Sequence, residues 1–356
     1  MRDTDRLDVN KMFVEGSYRK IEPASAAIVM AIGIFLIGTI EAFPLLNEHV
    51  GKLLACILLV IWLVIYGLLS IQFFHRDFLI PFIQHPVHSF AMGTWIAGVS
   101  VLCNVFLEYF PNIIRITQMM ALFNSLLWVL FIVTCIYNFK RLLFEVHDYP
   151  VHGILLLSTV GTQSIIVLLN NVFFQLPVVF SKSIIIVGVG FYVVGMFLIT
   201  IWNATKRNWS LAKDWPNTNC IIHGALSITG FAIVTTQTFS PFLVQLLWWI
   251  TFVLIVVVES LEVLRGVKRI RKLGWNKGIF QYHVTQWSRN FTFGMFYVFT
   301  LLMYKDGEVQ FSEPWHHMQG IVLHVWAWVV LIALVVEIVV FIKYMIQSKT
   351  LLPKSM

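Results

Sequence analysis

The chain has 356 residues, of which 58% are hydrophobic and only 12% charged, with a mean hydropathy of +0.81. A water-soluble fold carries about 25% charged residues and cannot hide this much apolar surface, so soluble globular and disordered classes are excluded. The net charge of +7 therefore does not signal a nucleic-acid partner; the solvent implied is the lipid bilayer.

A helix that crosses a bilayer needs about 20 mostly apolar residues. In chain order such stretches fall at 24–44, 53–74, 88–108, 114–138, 151–174, 183–203, 217–239, 242–264, 287–304 and 319–346, ten spans in all. The expected organisation is a cytoplasmic tail at 1–22, a ten-helix membrane domain at 23–346 and a second cytoplasmic tail at 347–356. The first 22 residues carry both charge signs and do not resemble a cleavable signal peptide. Cys56, Cys103, Cys135 and Cys220 all lie in apolar runs without CxxC or zinc spacing, and read as small buried hydrophobes. No metal and no cofactor is implied.

Orientation follows from lysine and arginine, which favour the cytoplasmic side. With the N-terminus inside, 21 of these residues fall on cytoplasmic segments and 4 outside: Lys52, Arg115, Lys182 and Lys305. Both termini are then cytoplasmic in a multi-pass cell-membrane protein, and the basic balance is accounted for. The sequons at Asn203 and Asn208 fall on the cytoplasmic side and are expected to be unused.

Four prolines, Pro23, Pro86, Pro150 and Pro216, precede odd-numbered spans at separations of 63, 64 and 66 residues, and one further step reaches Tyr282, just before span 9. The chain thus reads as five copies of a helical hairpin, a parallel internal repeat of the kind found in transporters. The odd spans hold most of the glycines and uncharged polar groups, among them Gly33, Gly93, Thr94, Gly161, Thr162, Gln163, Gly224, Thr229 and Gly294. Spans 2 and 8 are nearly unbroken Leu, Ile, Val and Trp. The expected architecture puts five odd helices in an inner, quasi-five-fold ring around a central pore, with these nine residues as its lining. The alternative is that the glycines mark ordinary packing seams, since small residues let helices approach closely.

Ionisable groups in the spans are few: Glu41, Glu259, Glu262 and Glu337, with His223 near the start of span 7. The first three lie near span ends, where they can reach the interface. A pore lined by neutral hydroxyls, amides and glycine backbone suits a partly dehydrated anion, which a fixed positive charge would hold too long. The inner-helix N-termini and the basic run at 265–277 would concentrate anions at the cytoplasmic mouth; positive-inside topology is the plainer account of that run. His85–His88 and His316–His317 are the only close histidine pairs, and neither HExxH nor multiple histidine boxes are present. The chain is therefore not read as an enzyme, and His85 and His88 are read as capping or interfacial residues.

Four strings carry a family resemblance: PASAAIVMAIG from Pro23, HPVHSFAMGT from His85, GILLLSTVGTQSIIVL from Gly153 and WSRNFTFGMF from Trp287. In this order the chain resembles the tellurite-resistance/dicarboxylate transporter family, which includes plant slow-type anion channels and fungal sulfite and malate carriers. The resemblance implies a homotrimer with one pore per protomer and, as transported species, a small anion: a C4-dicarboxylate, sulfite or a halide-like ion. It also implies a phenylalanine plug in span 9, which alignment on Trp287 places at Phe291, with Phe293 as competitor. The proline usual after that phenylalanine is Thr292 here. A proton-coupled carrier with alternating access is the other transport mechanism the resemblance allows.

Overall fold

The computed structural model describes residues 21–350 except 174, 175 and 310; most of the two expected tails lies outside the described residues. Among these residues twelve α-helices follow one another: α1 (Ala27–Ile37), α2 (Pro44–Phe73), α3 (Arg76–Gln84), α4 (Met92–Tyr109), α5 (Ile114–Phe144), α6 (Leu157–Val172), α7 (Val178–Thr205), α8 (Leu211–Asp214), α9 (Ile221–Thr236), α10 (Pro241–Gly278), α11 (Gln286–Lys305) and α12 (Glu313–Thr350). No strand occurs among the described residues.

Helices α1, α4, α6, α9 and α11 pack in cyclic order, with α11 returning to α1. Helices α2, α5, α7, α10 and α12 lie outside them. Of these, α2 sits against α1 and α4, α5 against α4 and α6, α7 against α6 and α9, and α12 against α11 and α1. Burial separates the two sets. The inner segments His88–Tyr109, Gly153–Val172 and Asn217–Thr236 are 83–94% buried, the five outer helices only 22–33%. The outer helices turn large aliphatic side chains such as Leu53, Leu126, Val133, Val193, Ile332 and Val339 outward, as a surface solvated by lipid requires.

Four inner helices open with a turn of 3-10 helix, at Pro23–Ala26, His88–Ala91, Gly153–Leu156 and Asn217–Cys220, at nearly equal steps and directly at or after the spaced prolines. This is the repeat made visible: each proline ends the preceding connection, and the tight turn that follows feeds one inner helix. Pro44 and Pro241 occupy the first turns of α2 and α10, where the missing N–H costs nothing.

Eight helices among the described residues are long and apolar enough to cross a membrane, against ten expected spans. The difference lies in two inner segments. Pro23–Ile37 is apolar but short, because Gly38 departs from helical geometry and a 3-10 turn follows at Thr39–Ala42. Helix α11 spans 20 residues but begins with the polar run Gln286-Trp287-Ser288-Arg289-Asn290. A shielded inner helix does not need the hydropathy of a lipid-facing one. A second difference is the connection expected after residue 264: α10 continues into it as far as a break at Gly274, and a short helical piece follows to Gly278. Gly274 adopts φ 75°, a conformation that glycine takes at little cost. Beyond it the chain folds back, and Gly278 lies against the backbone of Arg269 and Ile270.

Candidate functional site

Each of the five seams of the inner ring is closed by a glycine. A Cβ at Gly33 would overlap Val101 (α1 to α4), at Gly93 the Leu157 carbonyl (α4 to α6), and at Gly153 the Thr218 carbonyl (start of α6 to start of α9). At Gly224 it would overlap Thr292 (α9 to α11), and at Gly294 Ile34 (α11 to α1). Gly161 adds to the second seam, its Cβ position 3.4 Å from Gly93 Cα. The glycines named as pore lining thus sit where neighbouring inner helices touch, and the missing side chains let those backbones approach.

The named polar groups are buried, and the three threonine hydroxyls bond back along their own segments, while Gln163 Oε1 has no partner among the described residues. Thr94 donates to Ala91 O at 2.8 Å, Thr162 to Ser158 O at 2.7 Å and Thr229 to Ala225 O at 2.7 Å. Two of them reach outward rather than along the ring. Thr162 Oγ1 accepts from Trp128 Nε1 of α5 at 3.2 Å, and Gln163 Nε2 donates to Ile185 O of α7 at 3.1 Å. These bonds tie α6 to its two outer neighbours.

Helix α11 places the two candidate phenylalanines differently. Phe291 is 2% exposed, and among the described residues no aromatic ring pairs with it. Phe293 lies between inner helix α9 and outer helix α12. Its ring stacks on His223 of α9 at 6.4 Å and stands edge-on to Trp326 of α12 at 5.4 Å, and its carbonyl accepts from Trp326 Nε1 at 3.1 Å. Two residues along a helix turn a side chain about 200°, so a partner-rich Phe293 leaves Phe291 on the opposite side of α11.

Two residues before Phe291, Arg289 joins a chain of charges that the sequence did not single out. Its Nε lies 3.4 Å from Glu259 Oε2 and its guanidinium 3.3 Å from Glu262 Oε2. Glu259 Oε1 is 3.2 Å from His223 Nε2, and Glu262 Oε1 accepts from Arg265 at 2.7 Å. Arg265 also donates to Asn217 Oδ1 at 2.6 Å. The chain of groups links α9, α10 and α11 through partly buried side chains. Glu259, Glu262 and Arg265 follow each other at three-residue steps on one face of α10. That spacing was the available signal; their partner on α11 was not legible from either span alone. Glu337 of α12 is also buried, with Oε1 unpartnered among the described residues.

At the N-terminal end of the ring, His85 Nδ1 accepts from the backbone N–H groups of Val87 and His88 at 3.2 and 3.1 Å, the capping role expected of it. Burial, with the His88 ring beside it, lowers the His85 pKa to about 4. His152 caps the next inner segment in the same way, accepting weakly from Ile154 N–H at 3.4 Å while its Nδ1 lies 2.7 Å from Thr218 Oγ1.

A closed ring of shielded helices inside a lipid-facing shell defines a multi-pass membrane protein whose centre is sequestered from lipid. A family model described as voltage-dependent anion channel matches residues 20–342. The chain belongs to that family, the same tellurite-resistance/dicarboxylate transporter family its four strings resemble. It is accordingly a membrane anion channel or transporter. No curated protein matches it.

Proposed function

We propose that small anions pass along the axis of the inner ring and that Phe291 shuts this path. The observation that carries the reading is the burial of Phe291 on an inner-ring helix, with no ring partner among the described residues, while Phe293, about 200° round the same helix, packs against His223 of α9 and Trp326 of α12. An apolar ring on the axis leaves a constriction that water vacates, and an anion crossing it loses hydration with nothing in return. The passing species is a halide-like ion, sulfite or a C4-dicarboxylate. Gly33, Gly93, Gly161, Gly224 and Gly294 act on the path by setting how closely the inner helices approach, and Thr94, Thr162, Gln163 and Thr229 are its proposed polar lining, the two outward-bonded side chains contributing through the helix position they fix.

The charge count supports cytoplasmic termini in a cell membrane, so that the five inner helices begin inside. The family resemblance supports a homotrimer of protomers with one path each. Anion flux from liposomes under an imposed membrane potential tests the reading: flux that follows potential without a pH gradient is expected. The His223–Glu259 pair at 3.2 Å on the ring favours a second reading, a proton-coupled carrier. Strict dependence of flux on a proton gradient is its signature and would displace the channel.

A further inference from the structure

A cavity of about 410 Å³ opens at the C-terminal end of the inner ring. Four inner helices line it: α1 through Ile37, α4 through Asn104, Leu107 and Glu108, α6 through Asn170 and Asn171, and α9 through Phe231. None of the lining residues belongs to an outer helix, so the cavity lies within the ring, where the proposed path would emerge.

Its polar groups are three carboxamides and one carboxylate. A carboxamide nitrogen carries two N–H groups, and here one of each is engaged. Asn104 donates to Ser100 O at 2.8 Å, Asn170 to Thr235 O at 3.2 Å and Asn171 to Asn104 Oδ1 at 2.7 Å. The second N–H of each remains. Against these donors stand two negative features. The last turns of α4 and α6 bring the partial negative charge of helix C-termini. Glu108, exposed in the cavity wall, makes no ion pair among the described residues, whereas nearby Glu41 is paired with Lys305.

We propose that this cavity is a vestibule that selects by valence. The spare N–H groups of Asn104, Asn170 and Asn171 bind a small monovalent anion, and the Glu108 carboxylate turns divalent anions back. The proposal rests on the anion-conduction reading and narrows it to a substrate class. Neutral donors attract an anion without trapping it, as fast passage requires. The Coulomb energy between Glu108 and a passing ion scales with the ion's charge, so the penalty for a divalent anion is twice that for a monovalent one. Because energies enter rates as exponents, any factor by which removing the carboxylate speeds a monovalent anion is squared for a divalent one.

The test is flux of chloride and of sulfate through the purified full-length protein in liposomes at low ionic strength. Replacing an exposed carboxylate leaves the packed ring untouched, so folding is not the readout. Glu108→Gln is expected to speed chloride about threefold and sulfate about ninefold. Both effects should fade in high salt, where screening shortens to a few ångström. Equal factors for the two anions, or none, would overturn the valence filter while leaving the conduction reading intact. Absence of any anion flux through the wild-type protein would overturn the conduction reading and the vestibule with it.

Discussion

Arg289 faces two glutamates of α10 while lying two residues from Phe291. It therefore ties the helix that carries the proposed gate to the outer shell. Removing one member of a desolvated ion network leaves its partners as uncompensated charge, which costs about 3 kcal/mol or more. Arg289→Met should lower the thermal midpoint of the detergent-purified protein more than Arg265→Met. Arg265 faces one glutamate and the neutral Asn217, so less charge is stranded by its loss. A melt of Arg289→Met indistinguishable from wild type would remove the network from the account. His223, Glu259 and Glu262 were legible in the sequence as ionisable residues inside spans, and the interface was the nearest explanation for the two glutamates. What joins them is a residue on a different helix, and hydrophobic periodicity carries no information about which spans are neighbours. The capping of the inner segment by His85 was legible, because His-Pro directly before a helical run is a local feature.

At the scale of helices, the spaced prolines foretold where four inner helices begin, since a proline's effect is confined to its own turn. The glycines of those helices were legible as an inner-helix signature, but the contact each one makes was not. Composition distinguishes a glycine-rich helix from a leucine-rich one and does not say whether the bare backbone faces an axis or a neighbour. The structure puts Gly33, Gly93, Gly224 and Gly294 against the next inner helix. Alanine at any of these four should destabilise the protein by about 1–3 kcal/mol through overpacking, read as a lowered thermal midpoint and reduced folded yield. Gly67 and Gly190 meet no atom within 4 Å of a Cβ position, and alanine there should be neutral. Gly188 belongs with the seam positions in this respect, since its Cβ would overlap the buried Gln163 side chain that bonds Ile185 O. If the seam and open positions respond alike, the ring is not held by these close approaches. The helical extension of α10 past residue 264 escaped the sequence because a basic run looks like a loop in a membrane protein. Lysine and arginine are nevertheless good helix formers, and no proline interrupts 265–278.

At the scale of the molecule, composition and the uneven spread of glycine and polar residues among the spans carried most of the architecture: a membrane protein, built of helices, with a shielded set inside a lipid-facing set. The two inner segments that fall short of a membrane-crossing helix, Pro23–Ile37 and α11, show where hydropathy stops being informative. A helix walled off from lipid by its neighbours is free to be short or polar, and α11, which carries Arg289, Phe291 and Phe293, is the polar case. The proposed route for anions is the axis of the closed ring, and the account then turns on what closes that axis. The direct measurement is anion current, or potential-driven flux, through Phe291→Ala beside Phe293→Ala in the same membranes. A truncation in a packed membrane helix normally lowers stability and gains nothing, so increased current is a specific outcome. The account predicts that Phe291→Ala raises anion conductance well above wild type while Phe293→Ala, which loses its ring contacts to His223 and Trp326, does not. A silent Phe291→Ala, with or without an open Phe293→Ala, would contradict it.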